Sequence, residues 1–244
     1  MTPTTPTLNG KRVVLLGGTA GIGRATAHAA AQEGASIVVV SSQQSRVDQA
    51  LRELPPGTTG HAVDLTNEPA VRALFESVGP FDHLVFTAGG PLHLAPLEAT
   101  TIDQARAAFD LRLWGAYAAA KHASQHIRVG GSIVLTTGIA GARPQKGWTV
   151  AASLCTAIEG LTRALAVELA PIRVNAVSAG IVRTDLWSPI PPAERDTMFQ
   201  QFAKALPVER IGEPADIAQA FLYFMRNGFS TGTVLVVDGG GVLV

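Results

Sequence analysis

Short apolar runs alternate with longer segments of helical spacing along this chain. Seven runs are predicted to be β-strands, at residues 13–16, 37–40, 60–63, 84–86, 133–136, 174–177 and 234–237. The run at 37–40, Ile-Val-Val-Val, does not alternate polar and apolar side chains, which is typical of a strand covered on both faces. The pattern predicts an α/β fold: one doubly wound domain, residues 1–244, whose seven-stranded parallel sheet carries helices on both faces.

Two long helical segments flank the fifth predicted strand. Thr100, followed three residues later by Asp103, is predicted to cap the first segment. Its apolar stripe is Phe109, Leu113, Ala116, Tyr117 and Ala120. The second segment, residues 149–169, has the stripe Val150, Leu154, Ile158, Leu161 and Leu165, with alanines on its other faces. A helix that is apolar on several faces needs cover on several faces, so we expect a homo-oligomer, a dimer or a tetramer. A last helix is predicted from Pro214 to about Met225.

The stretch from Leu16 to Gly23, Leu-Gly-Gly-Thr-Ala-Gly-Ile-Gly, lies between the first strand and an Ala-rich helix at 24–32. A helix N-terminus offers unpaired N–H groups and partial positive charge, and glycines leave both accessible to a ligand. A glycine-rich turn can also be a plain connection between a strand and a helix. Its place after a strand and before a helix favours a cradle for the diphosphate of a dinucleotide, which makes the predicted sheet Rossmann-type.

Two segments depart from the alternation of strands and helices. Residues 1–7, rich in Thr and Pro, have the composition of a disordered tail. Residues 186–209 hold four prolines around a stretch without a clear period. In a doubly wound sheet this segment leaves the carboxyl end of a strand, where ligands bind. We predict a lid over the substrate pocket, the alternative being a plain surface insertion.

Composition narrows the class of partner. Lys+Arg and Asp+Glu both total 19, so no net charge attracts nucleic acid or an anionic membrane, and a small-molecule substrate is the expected partner. The single cysteine, Cys155, cannot form an internal disulfide, and the N-terminus lacks the features of a signal peptide. No uninterrupted apolar run approaches the roughly 18 residues of a membrane span. We therefore expect a cytoplasmic protein.

Several motifs resemble those of the short-chain dehydrogenase/reductase family, in the right order and over about residues 8–240. The matching segments are 16–23, 64–65, 87–90, 172–184, 210–214 and 231–240. The first resembles the family's Thr-Gly-x-x-x-Gly-x-Gly loop, with Leu16 in place of Thr. The segment beginning at Thr87 is similar to the family's Asn-Ala-Gly element. The segment 172–184 is similar to the one that binds the nicotinamide, but it has Ala179 at a position where the family usually has Pro.

The resemblance implies NADP or NAD as cofactor. The residues implied to hold it are Gly17, Thr19, Ala20, Gly21, Ile22, Gly23, Ser42, Asp64, Leu65, Ala88, Gly89, Val182 and Thr184. A carboxylate at Asp64 can accept from the adenine amino group, and the Thr184 hydroxyl can bind the carboxamide. The second strand is followed by Ser41 and Ser42 rather than by the acid of NAD-specific members, and Arg46 lies nearby, so NADP is slightly favoured.

Hydride transfer in the family depends on a Tyr-x-x-x-Lys pair, a Ser and an Asn. Aligned outward from the turn at residues 160–162, these fall on Ala151 and Cys155, on Gly138 and on Arg112, so all four are substituted. A Tyr beside a Lys supplies general acid–base catalysis of about 10²- to 10⁴-fold, which Ala cannot supply. Tyr117 and Lys121 have the same spacing but lie on the earlier helix, where packing is the simpler interpretation.

Three functions stay open from the sequence. The first is an NAD(P)-binding oxidoreductase with an atypical or lost catalytic set and absent or very low ordinary ketone or alcohol redox activity. The second is a pseudoenzyme, a dinucleotide-binding sensor or partner subunit, and the third is non-redox chemistry in the same pocket. Groups that could replace the catalytic set are Arg112, Thr137, Arg143, Lys146, Trp148, His93 and Cys155.

For two of these residues the sequence leaves two interpretations open. Arg112 is either an anion or carbonyl clamp or a helix-pairing arginine. Cys155 is either a nucleophile or an inert filler. The histidines show no ligand spacing, so no metal site is predicted.

Overall fold

The structure is a computed structural model that describes residues 7–244. Apart from Thr7, the tail predicted at residues 1–7 lies outside this part of the chain. The strands are β1 Arg12–Leu16, β2 Ser36–Ser41, β3 Thr59–Ala62, β4 Phe81–Phe86, β5 Ile127–Gly138, β6 Arg173–Ala179 and β7 Val234–Val237. The helices are α1 Gly21–Gln32, α2 Gln44–Glu53, α3 Glu68–Val78, α4 Ile102–Phe109, α5 Gly115–Ala123, α6 Thr149–Glu168, α7 Pro192–Ala205 and α8 Pro214–Arg226.

The seven strands form one parallel sheet in the order β3-β2-β1-β4-β5-β6-β7, so the predicted doubly wound fold is confirmed. From β1 the chain builds the sheet outward through β2 to β3, and it then crosses back to β4 on the other side of β1. The point at which the strand order reverses therefore lies between the neighbouring strands β1 and β4. Leu16, the last residue of β1, pairs with Val40 of β2 and Phe86 of β4. The carboxyl ends of these strands therefore meet at one edge, where open α/β sheets bind ligands.

Side chains of β1 alternate between the two helical layers. Val13 and Leu15 pack with α1, α2 and α8, whereas Val14 and Leu16 pack with α3, α5 and α6. All four are fully buried, as expected for a strand with helices on both faces. The predicted strands are apolar on both faces for this reason.

The helix after β4 differs from the prediction. Thr101, not Thr100, is its N-cap: the Thr101 hydroxyl accepts from the Gln104 N–H at 3.2 Å, and Gln104 Oε1 accepts from the Thr101 N–H at 2.9 Å. A π-helical turn, Asp110–Trp114, separates α4 from α5. Beyond this turn, Ala116 and Ala120 are buried as predicted, whereas Tyr117 is 49% exposed.

The neighbouring Lys121 pairs with Glu68 at 2.8 Å on the surface. Tyr117 and Lys121 are therefore surface residues outside the cleft lining, and the lysine pairs with a carboxylate instead of packing along the helix.

Helix α6 buries Leu154, Ile158 and Leu165 of the predicted stripe, while Val150 and Leu161 are half-buried. It has 20 residues, and an 18-residue stretch within it has a mean hydropathy of 1.4, so by length and composition alone it is enough to cross a membrane. Glu159 and Arg163 interrupt the apolar run within this helix, so a search for uninterrupted runs does not find it. The helix packs on β5 and β6, and core helices of globular domains have the same composition, so the hydropathy alone is weak grounds for a membrane span.

The predicted lid segment folds as a 3₁₀ turn, Asp185–Trp187, followed by α7. It has a small apolar core of its own, in which Trp187 and Phe199 meet edge to face at 6.4 Å between ring centroids. Trp148, from the start of α6, packs against this core. The segment thus packs against Leu92 and Ile181, which follow β4 and β6.

His83 gives the fold a pH dependence. It is 3% exposed on β4, and its Nδ1 lies 2.9 Å from the Ser132 hydroxyl. Burial lowers its pKa to about 4; the charges of Arg173 and Lys11 add to this effect, and Asp82 opposes it. The unfolded chain binds a proton near pH 6.5, whereas the folded chain does so only near pH 4. Stability therefore falls as the pH drops from 6.5 to 4.

We expect this loss to reach up to about 3 kcal/mol in the free energy of unfolding. Urea unfolding at a series of pH values measures it. The His83→Gln variant keeps a hydrogen-bonding side chain but cannot be protonated, so its stability should vary much less in this window. An equally steep pH dependence in the variant would show that other groups are responsible.

Candidate active site

A cleft with a volume of about 470 Å³ lies at the carboxyl edge of the sheet. All thirteen residues that the sequence suggested for cofactor binding line it, from Gly17 to Thr184. They come from the ends of β1, β2, β4 and β6 and from the loop after β3. The structure therefore brings together residues that are far apart in the sequence.

The glycine loop at one end of the cleft requires its small residues. Gly17 has a φ of +89°, and a Cβ there would lie 2.5 Å from the Ala88 nitrogen. A Cβ at Gly23 would overlap the Gly17 carbonyl oxygen. The N-cap of α1 is Ala20, which has no side chain that can cap the helix, and the first turn contains no acidic residue. The N–H groups of this turn are thus available to an anion.

Next to this loop lie Ser41, Ser42, Arg46 and Asp64. Asp64 Oδ1 accepts hydrogen bonds from the Thr66 N–H at 2.9 Å and from the Thr66 hydroxyl at 2.8 Å. These bonds lower the pKa of Asp64, so the carboxylate stays ionised and can accept a further donor. Arg46 is exposed on the first turn of α2 and supplies positive charge at this end.

At the opposite, inner end, the cleft is lined by Arg112, Gly138, Ala151 and Cys155. Ala151 and Cys155 lie one turn apart on α6, and Gly138 ends β5 beside them. A Cβ at Gly138 would lie 3.5 Å from Cys155 Sγ. The four residues at which the motifs predict the family's catalytic side chains therefore line the same part of the cleft.

The Cys155 thiol is held in its neutral form. Burial raises its pKa, although the Thr137 hydroxyl, the backbone of Gly138 and Gly141 and the Arg112 charge act in the opposite direction. A thiol is a good nucleophile only as thiolate. This disfavours Cys155 as a nucleophile and is in keeping with an inert filler.

Apolar side chains line the inner end around these four residues. They are Leu92, Leu94, Leu154, Trp148, Leu186 and Trp187. Leu92, Leu94 and Trp187 were not predicted individually from the sequence. Leu92 and Leu94 follow β4 in the same loop as Gly89, so their position after a strand end was the available signal.

Three sequence candidates do not line this cleft. His93 Nε2 bonds to the Thr100 hydroxyl at 3.0 Å, and Arg143 donates to the Val242 carbonyl at 3.4 Å. Lys146 is exposed on the loop before α6. Of the proposed replacement groups, Arg112, Thr137, Trp148 and Cys155 line the cleft.

The comparisons with known proteins agree with this architecture. Residues 17–241 match a family model described as enoyl-(acyl carrier protein) reductase. A short-chain dehydrogenase/reductase of Stachybotrys chlorohalonatus is 36% identical over an alignment of 254 positions, which covers 98% of this chain and 99% of the relative. The protein therefore belongs to the short-chain dehydrogenase/reductase family of oxidoreductases.

Two solved structures are similar over almost their whole length. One is a small-chain dehydrogenase in complex with NADPH, with a TM-score of 0.86, 38% identity, and coverage of 96% of this chain and 99% of the other. The second is the MalC reductase/Diels-Alderase from Malbranchea aurantiaca, with a TM-score of 0.90, 30% identity, and coverage of 97% and 98%.

Proposed function

We propose that this protein is an NADPH-dependent reductase that works without the family's Tyr-Lys pair. The observation that carries the proposal is the single cleft joining the glycine loop to an apolar inner end. That end has room for a substrate and is lined by Ala151, Cys155 and Gly138, the positions at which the sequence motifs predict the family's catalytic Tyr, Lys and Ser. Ordinary ketones, which need a proton as hydride arrives, are expected to react very slowly or not at all.

The residues of the cleft fit a dinucleotide. The uncapped first turn of α1 suits the diphosphate, Asp64 and Leu65 suit the adenine, and Val182 and Thr184 suit the carboxamide. Ala88 and Gly89 border the space between them. A similar dehydrogenase was solved with NADPH, which supports the same cofactor here. When bound, the cofactor would supply a hydride at the inner end.

NADPH rather than NADH is supported by the charges at the adenine end. Ser41 ends β2, Ser42 follows it, and Arg46 also lines the cleft there. A 2′-phosphate at this end would therefore meet a cation and no carboxylate from the turn after β2. We expect Arg46→Ala to weaken NADPH binding about tenfold, the value of one charge-assisted hydrogen bond, and to leave NADH binding unchanged. Fluorescence titration with both cofactors measures this. Equal weakening for both would show that Arg46 does not contact the phosphate.

A binding titration followed by turnover tests the function itself. We expect NADPH to bind, and a panel of simple ketones and aldehydes to show little or no oxidation of NADPH. Tight binding without turnover on any electrophile would support a pseudoenzyme. Robust ketone reduction that survives both Arg112→Ala and Cys155→Ala would contradict this account of the inner end. Failure to bind either cofactor would overturn the assignment of the glycine loop.

A second candidate is non-redox chemistry in the same cleft. A relative with 30% identity is named as both a reductase and a Diels-Alderase, which favours this alternative over other non-redox reactions. An apolar pocket with few titrating groups, like the inner end described above, suits a reaction that needs positioning rather than proton transfer. Conversion of a diene and dienophile substrate without NADPH oxidation would distinguish it from reduction.

Three further expectations belong to this proposal. The segment 186–209 acts as a lid over the inner end, supported by Trp187 and Leu186 in the lining. The protein forms a homo-oligomer, supported by exposed apolar side chains on α5 and α6 such as Tyr117 and Val167. It works in the cytoplasm. Limited proteolysis with and without NADPH, light scattering and cell fractionation test these in turn.

A further inference from the structure

Arg112 brings a positive charge to the inner end of the cleft. It lies in the π-helical turn between α4 and α5, and its guanidinium lies against Gly89 and donates a hydrogen bond to the Gly90 carbonyl. A Cβ at residue 89 would lie 2.6 Å from Arg112 Cζ. The glycine therefore makes room for the guanidinium, which is held between the loop after β4 and helix α6.

Within residues 7–244, Arg112 has no carboxylate partner within 4.0 Å. Two other arginines near the cleft differ. Beside the glycine loop, Arg24 pairs with Glu53 at 2.5 Å, and Arg183 pairs with Glu213 at 3.3 Å. Arg46, at the adenine end, also has no carboxylate partner in the described chain, but it is exposed to solvent, whereas Arg112 is half-buried.

Most of the hydrogen-bonding capacity of Arg112 is unused. A guanidinium has five N–H donors, and the Gly90 carbonyl is the acceptor found for this side chain within the described chain. Burial lowers the pKa of Arg112, and the acidic group that opposes this effect is the Cys155 thiol, which is itself kept neutral by burial. An arginine remains protonated under such conditions. The inner end therefore holds an uncompensated positive charge among apolar walls.

We propose that Arg112 binds a carboxylate of the substrate, and that the cleft takes apolar carboxylic acids. This rests on the proposed function in placing the substrate at the inner end. A carboxylate is planar and matches a guanidinium with two parallel hydrogen bonds, and it neutralises a charge that is costly to bury alone. A neutral carbonyl would accept one bond and leave the charge uncompensated.

The surroundings of Arg112 describe the rest of the substrate. Trp148, Trp187 and Leu92 line the same cleft and belong to one apolar cluster, and Trp187 is 6% exposed. These walls suit an aromatic or alicyclic body, which excludes water from the ion pair and strengthens it. The acid group anchors one end of the molecule, and the apolar body extends along the walls.

The test compares 4-phenylbutanoate with its amide, 4-phenylbutanamide, as probes of matched shape. Each is titrated calorimetrically into the protein saturated with NADP⁺, and again into the protein without it. We expect the acid to bind at least tenfold more tightly than the amide. In Arg112→Met this preference should disappear, with a loss of roughly 10- to 150-fold for the acid, the range of hydrogen bonds to charged groups. Arg112→Lys should retain part of it.

Arg143→Met is the matched control, because Arg143 is exposed and contacts the Val242 carbonyl outside the cleft lining. It should keep the preference for the acid. The proposal is overturned if the acid does not bind, if acid and amide bind equally, or if Arg112→Met retains the preference. It is also overturned if Arg112→Met weakens NADPH but not 2′,5′-ADP, since the guanidinium would then serve the cofactor.

A different result would refute the proposed function. Absence of NADPH binding would refute it, while the acid preference of the cofactor-free protein would remain measurable.

Discussion

A variant that carries Arg112→Asn, Gly138→Ser, Ala151→Tyr and Cys155→Lys should reduce simple ketones with NADPH at least about 100-fold faster than the parent chain, within the range of general acid–base catalysis. Ala151 and Cys155 lie one turn apart on α6 and line the same cleft, so a phenol and an ammonium at these positions would meet. The ammonium would lower the pKa of the phenol and prepare it to give its proton.

The structure has room for a side chain at Gly138. A side chain at Gly138 would first meet Cys155 Sγ at 3.5 Å and the Ala179 carbonyl at 3.6 Å, both ordinary contacts. Arg112 must be replaced together with Cys155, because a lysine at 155 would otherwise face the guanidinium at close range. The control has Ala151→Phe with the other three substitutions. If the phenol-bearing and phenyl-bearing variants reduce ketones at the same rate, the four positions do not correspond to the family's catalytic residues.

A methyl group on the glycine loop should weaken cofactor binding strongly. Gly21 has a φ of +49°, and a Cβ there would lie 3.3 Å from the Cγ2 atom of Thr184 across the cleft. Gly21→Ala therefore narrows the space where the diphosphate is proposed to bind and strains the backbone by about 1–2 kcal/mol. We expect NADPH binding to weaken by at least about tenfold, the effect of disturbing one hydrogen bond to a charged group. A fluorescence titration measures the change.

Gly79 provides a matched control for the backbone strain. Its φ is +68°, a Cβ would meet nothing within 4 Å, and it ends α3 outside the cleft lining. Gly79→Ala should lose a similar amount of stability in urea unfolding and bind NADPH like the parent. Equal weakening of NADPH binding in both variants would mean that the loss in Gly21→Ala comes from stability and not from the site.

The strands and the cofactor-lining residues were predictable because their signals are local. A run such as Ile37 to Val40 shows by itself that both faces are covered, and the order strand, glycine turn, helix marks the N-terminus of α1. The position of each motif after a strand then suffices to bring Asp64 and Thr184 to the same edge of the sheet as the glycine loop. The roles of these residues remain predictions.

Features that depend on contacts between distant segments were not predictable. The π turn at 110–114 leaves no distinct mark in the sequence, so the pattern predicted one long helix where the structure has α4 and α5. The placement of Tyr117 in the buried stripe was also wrong. The cap was placed one residue early because Thr100 and Thr101 both have a polar residue three positions later. The contact of Arg112 with Gly89 and Gly90 joins residues more than twenty positions apart, and periodicity carries no information at that distance.

The π turn also makes this part of the chain sensitive to its length. Such a turn contains one residue more than the α-helical spacing needs, and this residue lets Arg112 face the cleft while Ala116 and Ala120 face the sheet. Removing a single residue from 110–114 would allow one continuous helix but rotate one part by about 100° relative to the other. A comparison of related chains that permits no gap here would therefore assign the wrong residue to the pocket.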